Sequence, residues 1–185
     1  GQLAGPYCSS PEGINTAQRL ADRLNTNQKL RLLVLPGQRD LPVILPGGKV
    51  ILFENMVTAS DNPAVTAGYI LLALAAYEHK DPLRTYLARA GPLISLSLVA
   101  SNDLSDTQID QLAKITLSQP LMPPPQTALL SLFANAKISS SAFARVKSSL
   151  KIQGLIAQDP FRAGSPYPVL ADGAWLGLQA ICSDM

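Results

Sequence analysis

Val43-Ile44-Leu45-Pro46-Gly47-Gly48-Lys49-Val50-Ile51-Leu52-Phe53 is the stretch on which the fold turns. Two apolar runs flank Pro46-Gly47-Gly48. Proline presets φ and glycine adopts conformations closed to other residues, so this tripeptide favours a tight reversal. The pattern predicts strands over Val43–Leu45 and Val50–Phe53, paired as a hairpin. Pro42 has no N–H to give to a ladder and marks the first of them as an edge strand.

Lys29 to Leu35, KLRLLVL, reads as a further strand stopped by Pro36-Gly37. Ahead of it, Ile14, Ala17, Leu20, Ala21 and Leu24 recur at helical spacing between Pro11 and Asn25. Ser10 is placed to cap that helix, with Pro11 at its first position. After Asn55 the pattern turns helical. Asp61-Asn62-Pro63 starts a helix whose body, Ala64 to Tyr77, is apolar nearly all round. A helix without a polar face is expected to be buried on all sides. Shorter helices are predicted at Leu83 to Ala90, Ser105 to Leu117 (with Ile109, Leu112 and Ala113 on one face), Thr127 to Ala136, Ser141 to Leu150 and Asp172 to Ile181. Leu121 to Pro125 and Pro160 to Pro168 are proline-rich connectors, and no internal repeat occurs. The order is an N-terminal helix, a small three-stranded sheet, then a mostly helical bundle around a buried central helix. That order predicts an α+β fold in a single domain, 1–185, with an α+β half (10–92) and a helical half (93–185).

Composition narrows the functional classes. The chain has 185 residues, 47% of them apolar and only 15% charged, which fits a globular protein with a substantial core. A net charge of +2, with no Lys/Arg run, argues against a nucleic-acid surface. The longest apolar stretch falls short of the roughly 18 residues that span a bilayer, so no membrane span is expected. The opening Gly1-Gln2-Leu3-Ala4-Gly5-Pro6-Tyr7-Cys8 is compatible with a chain trimmed just past an export signal. The two cysteines, Cys8 and Cys182, have no metal-site or redox-motif neighbours. They are expected to form a disulfide, which in the chain-entropy model contributes about 4–5 kcal/mol. The competing readings are two unrelated thiols and a lipidated Cys8, the latter opposed by Pro6 and Tyr7. Export to the periplasm or cell envelope follows as an expectation.

From Arg19 to Pro92 the chain resembles the minigluzincins and the HtpX-type zinc metallopeptidases. The residues that carry the resemblance are Ile44 to Phe53, a strand, Pro-Gly-Gly turn and strand, and Asn62 to Leu71, where the family's active-site helix begins. The resemblance implies that H-E-x-x-H should stand at Leu72-Ala73-Leu74-Ala75-Ala76. Leucine and alanine offer no lone pair to zinc, and the general base position is Ala73. The family's third ligand, a downstream Glu, has no counterpart; Asp106 and Asp110 lie in its region without the expected neighbours. No metal or other cofactor is therefore expected.

Other chemistries lack their parts. The single histidine, His79, lies beside Glu78 and Lys80 and reads as an exposed helix C-terminus, where an imidazolium interacts well with the helix dipole. No G-x-S-x-G elbow accompanies a serine, and a cysteine nucleophile conflicts with the disulfide. Asp103, Asp106 and Asp110 read as a solvated helix face rather than a glycosidase pair. Gly47-Gly48 lacks the rest of a P-loop. Trp175 is expected to pack in the core with its indole N–H on a carbonyl, with a partner-binding anchor as the alternative.

In the resembling peptidases, substrate lies along the edge strand near the Pro-Gly-Gly turn. The resemblance thus implies a catalytically inactive peptide- or protein-binding module, with Pro42, Val43, Ile44, Leu45, Gly47 and Gly48 as candidate contacts. The partner is an unknown protein or peptide. The alternatives are a hydrolase with an unrecognised non-zinc or rebuilt metal site and a subunit of a cell-envelope assembly.

Overall fold

Three strands and seven helices are described here from a computed structural model, which covers residues 7–24, 29–45, 48–79, 123–148, 152 and 154–183. The strands are β1 (Arg31–Leu35), β2 (Val43–Leu45) and β3 (Lys49–Phe53), in the order β1-β3-β2. β2 and β3 are antiparallel, pairing Val43 with Ile51 and Leu45 with Lys49, which is the hairpin read from the sequence. β1 runs parallel to β3, with Leu33 opposite Ile51. That pairing is not written in any single strand. It follows from burial: Val50, Ile51, Leu52 and Phe53 are all buried, so β3 has both faces covered and takes the centre. β1 alternates instead, with Leu32 and Val34 buried and Leu33 and Leu35 half-buried.

Gly48 shows why the hairpin turn needs glycine. It has a φ of 73°, and a Cβ there would strike the Lys29 carbonyl oxygen. The same close approach lets Arg31 N–H donate to Gly48 O at 2.9 Å, so the turn also starts the β1–β3 pairing.

The first helix, α1 (Pro11–Arg23), begins as expected: Ser10 Oγ accepts from Gly13 N–H at 3.2 Å, and Pro11 occupies the first turn. It ends at Arg23, two residues before the expected Asn25. Arg23 donates to Ala136 O at 2.8 Å and Pro168 O at 3.3 Å, fastening α1 to the C-terminal part of the chain. α2 (Glu54–Thr58) is a five-residue helix directly after β3, too short for its period to show in the sequence.

Central to the structure is α3 (Pro63–His79), in which every residue from Ala64 to Ala76 is buried. It packs against β2, β3, α2, α4 (Gln126–Ala136) and α5 (Ser141–Val146), so each face of the helix meets a partner. Each fully buried Leu or Ile contributes about 1.5–3 kcal/mol, which makes α3 a major source of stability. Its polar residues are accounted for locally. Asn62 Oδ1 accepts from Ala64 N–H at 2.9 Å, and buried Thr66 donates to Met56 O at 2.8 Å, tying α3 to α2.

α5 is shorter than the expected helix to Leu150, with Lys147 as its C-cap; Leu150 lies outside the described residues. α6 (Gly154–Ala157) is a single turn that the sequence reading did not anticipate, and α7 (Asp172–Gln179) packs on α1. The expected helices at Leu83 to Ala90 and Ser105 to Leu117 lie outside the described residues, as do Asp103, Asp106 and Asp110. A disulfide joins Cys8 to Cys182 across 174 residues of sequence. The architecture is α+β, and no helix among the described residues is long and apolar enough to cross a membrane.

Candidate functional site

The positions that the resemblance assigns to zinc chemistry are in the middle of the core. Leu72 is 1% exposed, Ala73 0% and Ala76 7%, all on α3. Their side chains contribute apolar volume, not lone pairs. His79 is exposed on the last turn of the same helix, seven residues beyond Leu72. Among the described residues, no three His, Cys, Asp or Glu side chains come together as a metal-binding group.

The second candidate region is β2, an edge of the described sheet. Val43 and Ile44 point to opposite faces, yet both are buried, and Pro42 is buried beside them. Leu45 is half-buried, Gly48 is buried in the turn, and Gly47 lies outside the described residues. Since both faces of β2 are already packed, a peptide joining this strand would meet main chain first. Strand addition gains its affinity from main-chain hydrogen bonds, so burial of Val43 and Ile44 is compatible with it.

The loop leading into β2 is more organised than its sequence suggests. Pro36 to Asp40 are exposed. The Asn55 side chain acts as a strand partner for Arg39: its Oδ1 accepts from Arg39 N–H at 3.1 Å, and its Nδ2 donates to Arg39 O at 2.9 Å. The Arg39 guanidinium lies 5.3 Å from the Phe53 ring centroid. Asp40, fully in solvent, meets the Lys147 ammonium at 3.6 Å, and Lys147 also stands 5.2 Å from the Tyr69 ring centroid on α3. The entry to β2 is thus pinned to β3, α2 and α5, with Arg39 and Asp40 at its rim. Sequence reasoning missed both. The available signal was an Arg-Asp pair in a Pro/Gly-bounded loop with an asparagine just after β3.

A third cluster was also missed. Asp159 Oδ2 accepts from Ser139 Oγ at 2.7 Å, Ser141 Oγ at 2.6 Å and Ser141 N–H at 3.0 Å, while Oδ1 accepts from Phe161 N–H at 2.9 Å. Burial raises the pKa of this carboxyl, but the hydrogen bonds from Ser141, Ser139 and Phe161 outweigh it and hold the group below its ordinary value. The serine hydroxyls donate straight to the carboxylate with no histidine between them, and the protein's single histidine is at the end of α3. That arrangement anchors the start of α5; it does not activate a nucleophile.

Trp175 is 6% exposed, as the packing reading requires, but among the described residues its indole N–H meets no acceptor, which corrects the expectation of a carbonyl partner. No protein-family model matches the chain, and comparison with curated proteins finds no significant match.

Proposed function

We propose that this chain is a catalytically silent, metallopeptidase-like module of the bacterial cell envelope that binds an extended peptide or protein segment along β2. The observation that supports it most is the burial of Leu72, Ala73 and Ala76. Where the resembling enzymes place metal ligands and a base, this chain places close-packed hydrocarbon. Placing unpaired imidazole and carboxylate there would be costly, whereas leucine and alanine strengthen the core. What remains of the resembling site is its edge strand and turn, held in position by the Asn55 clamp on Arg39. The disulfide fits an exported protein, since oxidising compartments preserve such bonds.

The experiment is peptide binding to the purified chain, read by calorimetry with a library of extended peptides. Saturable binding that is lost when alternate peptide amides are N-methylated supports strand addition, because methylation removes the donors that pair with an edge. Absence of saturable binding across the library sinks the reading. Metal content after zinc loading is the companion measurement. One zinc retained per chain, together with hydrolysis of an unstructured protein that His79→Ala abolishes, would replace this reading by a hydrolase with a rebuilt site.

A further inference from the structure

One backbone hydrogen bond ties the residues just before α1 to the outer edge of β1. Val34 O accepts from Cys8 N–H at 2.9 Å, while Arg31 of the same strand donates to the β2–β3 turn, so Val34 faces away from β3. Cys8 is 2% exposed and bonded to Cys182, a half-buried residue just past α7. From Ser10 onward the chain is held by other means. Ser10 N–H donates to Ile181 O at 3.3 Å, Ser10 caps α1, and α1 buries Ala17, Leu20 and Ala21. Among the described residues ahead of Ser10, the anchors are the Cys8–Val34 bond, the burial of Cys8 and the disulfide itself.

We infer that the Cys8–Cys182 disulfide is a redox latch, which holds residues 7–9 against the outer edge of β1 and on reduction releases them while α1, the sheet and α3 stay folded. The chemistry takes two electrons from a small dithiol. A thiolate of the reductant attacks Cys182 Sγ, the half-cystine nearer solvent, and Cys8 Sγ leaves as a thiolate that takes up a proton. The second thiol of the reductant then displaces Cys182 Sγ and closes a cyclic disulfide in the reductant. Both cysteines end as thiols, and Val34 O loses the partner that the latch held in place. An edge carbonyl without a partner is the group that an incoming strand pairs with. Reduction therefore changes which side of the sheet is open.

Hydrogen exchange of the full chain, oxidised and after reduction by dithiothreitol, tests this without reference to any ligand. The Cys8 amide is expected to exchange about tenfold faster or more after reduction, while amides of β3 and α3 keep their rates, as local opening requires. The Cys8→Ala/Cys182→Ala variant is expected to show the same pattern with no reductant present. An unchanged Cys8 rate with both thiols verified free, or equal acceleration in β3 and α3, overturns the latch. So does an unfolded double variant, since the latch requires that the fold survive its opening.

Discussion

Phe143 of α5 lies against the bare Cα of Gly68 on α3, so closely that a Cβ on Gly68 would overlap the ring. The ring also meets Tyr69 edge-on, with centroids 5.4 Å apart and planes at 81°, and leans on Phe133 at 6.0 Å. Glycine inside a helix loses about 1 kcal/mol relative to alanine, yet here it lets a second helix reach the backbone of the first. Gly68→Ala is therefore expected to destabilise by about 1–3 kcal/mol despite its better helix propensity, because the colliding atoms belong to a rigid, fully buried ring. Urea denaturation measures it. Pairing the change with Phe143→Leu should recover part of the loss relative to the sum of the single effects; strict additivity would show that the contact is not the cause.

Placing the zinc motif of the resembling peptidases on α3 should harm the fold. Leu72→His, Ala73→Glu and Ala76→His together place three polar groups at positions with almost no solvent contact. The expected loss is about 3 kcal/mol or more, with no gain of proteolysis in zinc. Chemical denaturation and a casein digest check the two halves of this expectation. A folded, zinc-dependent protease would overturn the inactive-module reading.

Asp159 should make the protein acid-sensitive in a defined direction. Its folded pKa lies below the ordinary 3.8, so the unfolded chain binds the proton first. Stability from this group is fully present above the unfolded value and is lost as pH falls through the folded one. Asp159→Asn is expected to cost about 1–3 kcal/mol near neutral pH, because an amide has one acceptor oxygen and its nitrogen cannot accept where the second carboxylate oxygen did, and to flatten the fall in stability below 3.8. Thermal melts of both proteins across that range decide it. An unchanged acid slope in the variant would assign the sensitivity elsewhere.

Asn55→Ala removes both hydrogen bonds to Arg39. The expected cost is about 1–2 kcal/mol, and the Arg39 amide should exchange faster while β3 amides keep their rates. Exchange measured by mass spectrometry distinguishes a loosened loop from a weakened sheet. If strand addition on β2 is the function, peptide affinity should fall with the same substitution, because the loop that enters β2 loses its fixed path.

Where the sequence was readable, one pattern dominated locally. Ala64 to Ala76 has no polar face, and Pro46-Gly47-Gly48 between apolar runs leaves few options besides a reversal. The two cysteines had only each other. The parallel pairing of β1 with β3 was not readable, because KLRLLVL specifies a strand and not its neighbour; burial on both faces of β3 decides that. α2 and α6 are too short to show a period. The site was less legible still. The Asn55–Arg39 clamp spans 16 residues and the Ser141–Asp159 bond 18, and isolated polar residues at such distances leave no periodic trace. The Trp175 indole shows the complementary failure: its burial follows from its size, while the fate of its N–H depends on the packing around it.

The bond between Cys8 and Cys182 also sets how the molecule bears a load. With those residues joined, a sequence separation of 174 is closed into a ring. Tension applied to the two ends enters at one cysteine and leaves at the other, through sulfur. A pull on both ends therefore bypasses most of that ring, and α3 inside it bears none of the load until the bond is reduced.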